Sequence, residues 1–238
     1  AVRIAPLMRL RELAALSDED MVNVQRANLM DSAAPNPSVE TLLHAYLPHK
    51  YIDHTHATPF LALANLPEVH EATREIFGNR LAFVPYIMPG FALAIAAAKV
   101  AEAHPDAEGL LLLNHGQFTW GPTAKASYDR IIAHSNEVEA WLADRRPAPL
   151  RPSAALPATA LQTALPALRG AIARHLGAET PMPVFDLRDT PEVQSFLARP
   201  DLAALATRGV ATPDHVIRTK GHPLILDAAT LAGGAPAI

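Results

Sequence analysis

The amino-acid sequence predicts an α/β fold in which helices cover a β-sheet. Two observations support this prediction. Half of the residues are apolar, which is enough for the core of one large domain. Short strand-like runs also alternate with helix-like runs through residues 38–144, and this order is typical of a sheet covered by helices.

The first helices are indicated by the residues at which they begin. Ser17 precedes three acidic residues, a pattern typical of a helix start, and it predicts a helix to about Met30. A proline-containing loop follows. Ser38 is the next N-cap candidate, and it predicts a short helix over residues 39–46.

The strands are indicated by short apolar or β-branched runs. The segment Tyr51–His56 mixes aromatic, β-branched and polar residues, which favours a strand. Three further strands are predicted at Leu81–Val84, Gly109–Leu113 and Gln117–Trp120. Helices are predicted between and after these strands, over residues 58–76 with a break near Pro67, over residues 91–103, and from Thr123 to about Asp144.

The composition changes after Arg146. Residues 147–166 contain five prolines and many alanines, and we expect a linker or an extended segment there. Further helices are predicted over residues 167–176 and 191–206, and a disordered tail near Gly233. The sequence thus predicts a first domain over residues 1–146 and a Pro/Ala-rich linker with a C-terminal extension over residues 147–238.

The composition also excludes several functional classes. The chain has no cysteine, so a metal ion must be bound through histidine, carboxylate or backbone oxygen. The net charge of −4 indicates no basic surface for nucleic acid. Apolar runs stay shorter than the roughly 18–20 residues of a membrane span, and no leader peptide is recognisable. We therefore expect a cytoplasmic protein that binds neither nucleic acid nor membranes.

Histidines supply the candidate metal ligands. His54 and His56 lie at positions i and i+2 of a predicted strand, so their side chains point to the same face and can share one ion. A pair of polar residues on a solvated strand face is the alternative. His115 follows a predicted buried strand and precedes Gly116. This position is compatible with a metal ligand and equally with a histidine that only forms part of a tight turn. Asn114 beside it is a candidate for binding substrate or for forming the turn.

A carboxylate lies at helical spacing from a further histidine. Glu40 and His44 are positions i and i+4 of a predicted helix and share one face. A surface hydrogen bond would explain this pair, but Glu40 can also serve as a general acid/base beside a metal ion. That role requires a pKa raised by burial. Three imidazoles with an open position are typical of catalytic zinc.

Three motifs in a fixed order resemble the class II aldolase/adducin family. They are the segment from Ser38 to His44, the segment His54-Thr55-His56-Ala57, and Asn114-His115-Gly116 followed by Gly121. The ordered set is more specific than any one motif, and the resemblance extends over about residues 10–225. Within the family, residues 37–57, 84–91 and 212–220 are most similar to the aldolase part of bacterial fusions of rhamnulose-1-phosphate aldolase with an alcohol dehydrogenase.

The resemblance implies a central, largely antiparallel sheet between helical layers. It implies that His54, His56 and His115 bind zinc or another divalent metal, that Glu40 is the catalytic acid/base, and that Ser38 lies near the substrate phosphate. The family reaction is the cleavage of a ketose 1-phosphate to dihydroxyacetone phosphate and an aldehyde. We therefore expect a homo-oligomeric aldolase for a small phosphorylated sugar, with a dehydrogenase domain in the full-length protein.

One departure from the family pattern leaves alternatives open. Family members carry a glycine-containing phosphate loop before the catalytic glutamate, but here no glycine precedes Gly78. The first domain is therefore expected to lack its N-terminal phosphate-loop part, either as a fragment or through loss of the phosphate site. The alternatives are a sugar-phosphate epimerase or a dehydratase on the same metal site, and an inactive truncated or scaffold domain.

Overall fold

A computed structural model describes residues 1–145, 158–219, 221–227 and 230. The chain divides into two compact units. The first unit contains residues 1–146 together with residues 211–218, and the second contains residues 147–210 and 219–238. The short segment 211–218 thus belongs to the first unit, although residues 147–210 separate it in sequence from the rest of that unit.

The first unit is built on a four-stranded sheet with the order β1-β4-β3-β2. Strand β1 pairs antiparallel with β4, β4 pairs antiparallel with β3, and β2 runs parallel to β3. Two of the three pairings are antiparallel, which confirms the expected largely antiparallel sheet. The strands are β1 (Tyr51–Thr55), β2 (Leu81–Val84), β3 (Gly109–Leu112) and β4 (Gly116–Gly121).

Seven α-helices precede residue 145 in the described part of the chain. Ser17 and Thr123 cap the second and the seventh of them by accepting backbone N–H bonds from Asp20 and Ala126. The predicted break near Pro67 separates the fourth from the fifth. The helices are α1 (Ile4–Arg9, followed by a 3₁₀ turn over Leu10–Glu12), α2 (Asp18–Ala27), α3 (Thr41–Tyr46), α4 (Thr58–Ala64), α5 (Val69–Phe77), α6 (Phe91–Ala103) and α7 (Ala124–Ala143).

Helices cover both faces of the sheet. Successive residues of a strand point to opposite faces, and accordingly Leu110 and Leu112 belong to one apolar cluster while Leu111 belongs to the other. The first cluster joins the sheet to α1, α2, α3 and α6, and the second joins it to α4, α5 and α7. The structure therefore confirms the α/β class with helical layers on the sheet.

The second unit is helical in the residues that the structure describes. It contains α8 (Ala158–Leu176), α9 (Pro191–Leu197) and α10 (Leu202–Ala206). The expected linker over 147–166 is wrong for residues 158–166, which are helical although Pro166 lies inside α8. The alanines and leucines around this proline are strong helix formers and offset its cost. Residues 146–157 and the predicted tail near Gly233 lie outside the described residues.

A last helix, α11 (Pro213–Arg218), returns to the first unit. Thr212 forms its N-cap, since its hydroxyl accepts the backbone N–H of His215 at 3.1 Å. Pro213 occupies the first helical position, where its missing N–H costs nothing. The sequence Thr212-Pro213-Asp214 is therefore a helix start.

Candidate metal centre

Strand β1 brings two histidines to one place. His54 lies in the strand and His56 one residue beyond its end, and the Nε2 atoms of the two rings are 2.9 Å apart. His54 also stacks on Phe118 of the neighbouring strand, with ring centroids 4.1 Å apart. The i, i+2 spacing thus places both imidazoles on one face, as expected from the strand period.

His115 approaches the same point from the turn between β3 and β4. Its side chain is buried, and its ring centroid lies 5.3 Å from that of His54 and 5.1 Å from that of His56. The preceding Asn114 has a φ of 56°, in the left-handed region that asparagine tolerates in tight turns. The turn therefore directs His115 towards the two strand histidines.

Gly116 makes this approach possible. A Cβ atom at this position would lie 2.6 Å from the backbone oxygen of Thr55 and 2.9 Å from Cδ2 of His56. Contacts this short are not found for real side chains. Only glycine therefore allows the start of β4 to lie against the end of β1, where the histidines converge.

Glu40 completes the cluster from the start of α3. Its Oε1 atom lies 2.8 Å from Nε2 of His115, 3.2 Å from Nε2 of His54 and 3.9 Å from Nε2 of His56. One ligand atom from each of these four residues lies within 4.8 Å of the others. The predicted partner of Glu40, His44, instead packs its ring against Phe118 at a centroid distance of 5.3 Å.

The hydrogen bonds of the two strand histidines fix their tautomers. Nδ1 of His54 lies 2.8 Å from the backbone oxygen of Gln117, and Nδ1 of His56 lies 3.1 Å from Oδ2 of Asp214. A backbone oxygen and a carboxylate oxygen are acceptors, so each Nδ1 carries a hydrogen, and the neutral form of each ring would present an Nε2 lone pair. In that form, two lone pairs 2.9 Å apart would repel each other unless a proton or a metal ion lies between them.

The donor set fits a divalent metal ion. Three imidazole nitrogens with one carboxylate oxygen are ligands that zinc uses in proteins, and hydrogen bonds to the outer ring nitrogens are typical of such sites. His54, His56, His115 and Glu40 are the residues that would hold the ion. The chain therefore brings together all three predicted ligands and the predicted acid/base.

Burial and charge act in opposite directions on the carboxylate. Burial raises the pKa of Glu40. Hydrogen bonds from His115 and His54, together with the charges of these rings, lower the pKa by a larger amount, so the net pKa lies below its usual range. The sequence argument required a raised pKa, and this arrangement gives the opposite direction. The reason is that the carboxylate faces imidazoles and not an apolar wall.

The pKa of His56 is also lowered. Burial is the largest cause and the charge of His54 adds to it, whereas the hydrogen bond to Asp214 acts in the opposite direction. A lowered pKa keeps the ring neutral over a wider pH range. Only the neutral ring can donate an electron pair to a metal ion.

The two predicted substrate-binding residues lie at the edge of the cluster. The Ser38 hydroxyl accepts the backbone N–H of Glu40 at 3.2 Å and donates to its Oε2 at 3.4 Å, so it orients the start of α3. The Asn114 amide donates to Oδ1 of Asn65 at 3.0 Å. Both side chains have protein partners here, and their contact with substrate stays a prediction.

Sequence reasoning missed Asp214 and Asn65. Asp214 hydrogen-bonds His56, and Asn65 bonds both Asn114 and the backbone oxygen of Ala211. A local signal for Asp214 existed, because Thr212-Pro213-Asp214 is typical of a helix start. Nothing in the local pattern indicated that this helix would lie beside β1.

Comparison with known protein families supports these observations. A family model described as the class II aldolase and adducin N-terminal domain matches residues 9–142. A second model, described as aldolase class II, second domain, matches residues 159–236. The first match contains the three histidines and Glu40, and the second contains Asp214.

Two individual relatives match this chain over only part of their own length. It is 33% identical over 236 residues to the uncharacterized oxidoreductase YuxG of Bacillus subtilis, a match over 94% of this chain and 32% of that protein. It is 27% identical over 130 residues to methylthioribulose-1-phosphate dehydratase of Yersinia enterocolitica, over 47% of this chain and 62% of that protein. The chain thus spans less than two thirds of either relative.

A solved structure shares the fold. It is the N-terminal class II aldolase domain of a conserved protein from Thermoplasma acidophilum, with a TM-score of 0.55 and 33% sequence identity. The match covers 59% of this chain and 65% of that one. None of the helices in the described part of the present chain is long and apolar enough to cross a membrane.

Proposed function

Because this chain belongs to the class II aldolase and adducin family, we propose that it is a zinc-dependent aldolase of the cytoplasm that cleaves a ketose 1-phosphate of the rhamnulose 1-phosphate type. The products are dihydroxyacetone phosphate and an aldehyde. Family membership supports a metal-dependent, lyase-type enzyme. The observation that carries the finer proposal is the convergence of three imidazole nitrogens and one carboxylate oxygen within 4.8 Å.

The residues divide the chemistry between binding and proton transfer. His54, His56 and His115 hold the cation, which when bound supplies Lewis-acid polarisation of substrate oxygens. Glu40 moves the proton. Its Oε1 accepts the proton of the substrate hydroxyl as the carbon–carbon bond breaks, and returns a proton to the carbon of the leaving fragment.

Zinc is the proposed ion because of the ligand types. Imidazole suits zinc better than magnesium or calcium, which prefer oxygen ligands, and the chain has no thiolate that would compete. Cobalt and manganese accept similar ligands and are the alternatives to test. Ser38 is proposed to contact the substrate phosphate and Asn114 the substrate hydroxyls, because both lie next to residues of the cluster.

The second candidate function is a dehydratase on the same site. The specific observation in its favour is the similarity to a protein named methylthioribulose-1-phosphate dehydratase, which includes only 47% of this chain. A dehydration also begins with proton removal beside a polarised carbonyl, so Glu40 and the three histidines would serve it equally. An epimerase would use the same residues, and an inactive scaffold would need none of them.

Two properties of the whole protein follow as proposals. The similarity to a longer protein named an oxidoreductase is compatible with a dehydrogenase domain fused to this one. We also propose a homo-oligomer, as the family resemblance implies.

Metal analysis and a substrate panel test the proposed function. The purified protein is analysed for bound metal and then incubated with a set of ketose 1-phosphates. Aldolase activity releases dihydroxyacetone phosphate, which a coupled NADH assay detects, whereas dehydration yields a dicarbonyl compound and epimerisation an isomeric sugar phosphate. Glu40→Gln is the matched control, because it keeps the size of the side chain and loses the proton carrier. Absence of bound metal, or equal activity in Glu40→Gln, would contradict the proposal.

A further inference from the structure

The outer nitrogen of His56 has a partner from a distant part of the sequence. Nδ1 of His56 lies 3.1 Å from Oδ2 of Asp214, and 158 positions separate the two residues. The partner is a carboxylate on α11, in the segment 211–218 of the first unit. A metal-binding histidine that donates its other N–H to a carboxylate is held in one tautomer and one orientation.

Of the three histidines, His56 receives the least support from the backbone of the sheet. His54 lies inside β1, and its Nδ1 donates to a backbone oxygen of the adjacent strand, so the sheet itself orients it. His115 is buried in the turn between two strands. His56 lies beyond the last residue of β1, where no ladder hydrogen bond fixes the chain.

A second contact ties the same segment to the cluster. The Asn65 amide donates to the backbone oxygen of Ala211 at 3.3 Å, and Asn65 Oδ1 accepts from Asn114 at 3.0 Å. Asn114 is the residue before His115. The segment that carries Asp214 is therefore joined to both sides of the cluster, at His56 and at the turn of His115.

We propose that Asp214 is a positioning residue for the metal ligand His56. Its carboxylate accepts the hydrogen of Nδ1, so that the Nε2 lone pair of the ring faces the ion, and it adds one negative charge next to the site. The inference rests on the proposed metal site, but it does not depend on which reaction the site performs. It assigns to α11, which is distant in sequence but belongs to the first unit, a part in metal binding that acts through His56.

The simpler explanation for Asp214 is its place in the helix. An acidic residue in the first turn favours a helix because it interacts with the unpaired N–H groups there. The chain contains a matched case without the histidine contact: Thr190-Pro191-Glu192 begins α9 in the same way, with Thr190 as N-cap. Glu192 therefore reports the helix-start effect alone.

The test measures zinc affinity by competition with a chromogenic chelator. We expect Asp214→Ala to weaken zinc binding by about 10–100-fold, the usual range for loss of such an outer partner. Asp214→Asn keeps an acceptor oxygen but loses the charge, and should lie between Asp214→Ala and the wild type. Glu192→Ala should bind zinc as the wild type does.

Cobalt provides a second readout. In the cobalt-loaded protein, Asp214→Ala should shift the visible absorption bands, because the field around the ion changes when His56 is free to turn. Glu192→Ala should leave the spectrum unchanged.

The outcomes separate this inference from the proposed function. If the wild type binds zinc and Asp214→Ala binds it within twofold, the inference is wrong and the metal site stands. If the wild type binds no zinc, the metal site and the inference are both wrong. Should Asp214→Ala not fold, Asp214→Asn decides, because an affinity and a cobalt spectrum equal to those of the wild type would contradict the inference that a carboxylate positions His56.

Discussion

The carboxylate of Glu40 lies 2.8 Å from Nε2 of His115, although 75 positions separate the two residues. The contact joins the start of α3 to the turn between β3 and β4. The same carboxylate oxygen also lies 3.2 Å from Nε2 of His54. The proposed proton carrier therefore occupies the point at which the proposed metal ligands converge.

The first prediction concerns Glu40→Gln. We expect kcat to fall roughly 10²–10⁴-fold, the usual effect of removing a general acid/base. Zinc affinity should change much less, because three imidazoles remain. Steady-state kinetics with the best ketose 1-phosphate and chelator competition measure the two quantities. If Glu40→Gln lost zinc binding and activity in the same proportion, Glu40 would be a metal ligand and not the proton carrier.

The second prediction concerns zinc and stability. A ligand that binds only the folded state stabilises it, by about 2.7 kcal/mol at a free concentration 100 times Kd. Addition of zinc should therefore raise the Tm of the chelator-treated wild type, and His115→Ala should reduce this shift. Thermal unfolding with and without zinc measures it. The control is His175→Ala, since His175 is an exposed residue near the end of α8. If zinc raised the Tm of His115→Ala as much as that of the wild type, His115 would be excluded as a ligand.

Most of the fold of residues 38–144 was predictable because it rests on local patterns. The alternation around His54, the apolar run at Leu110 and the break at Pro67 each reflect a period or a backbone restriction visible in a short window. The start of α8 at residue 158 was not predicted, because the prolines before it indicate a break in the helix whereas the alanines and leucines after it favour one.

The site was predictable only in part. His54 and His56 share a strand, so their convergence follows from geometry, whereas the approach of His115 and Glu40 was expected from the order of family motifs. Asp214 could not be found in this way. Its contact depends on where a distant helix packs, and no short sequence window contains that information.

The third prediction concerns Gly116, which follows His115 and lies against the end of β1. In Gly116→Ala the new Cβ would lie 2.6 Å from the backbone oxygen of Thr55, so β1 and β4 must separate. We expect a loss of about 1–3 kcal/mol in the free energy of unfolding, and weaker zinc binding. Urea unfolding measures the first and chelator competition the second. Gly221→Ala is the control, because a Cβ there meets nothing within 4 Å; equal stability of both variants would contradict the steric argument.

The fourth prediction concerns a buried histidine away from the cluster. His134 of α7 hydrogen-bonds Gln117 at 2.7 Å and Glu108 at 3.0 Å. Burial lowers the pKa of His134 below its ordinary value of 6.5, and the hydrogen bond to Glu108 offsets this only in part. The ring is thus neutral in the folded protein at pH values where the unfolded chain has bound a proton.

The sign of the pH dependence follows from this difference. The unfolded state binds more protons than the folded state below pH 6.5, so the contribution of His134 to stability is complete above that value and is lost as the pH falls towards the lowered pKa. In His134→Gln, which keeps hydrogen-bonding groups but cannot titrate, the free energy of unfolding should fall less between pH 7.5 and pH 5.5. Urea unfolding at both pH values, with chelator present, measures this. The same pH dependence in both proteins would mean that folding leaves the pKa of His134 unchanged, and a steeper fall in His134→Gln would mean that Glu108 outweighs burial.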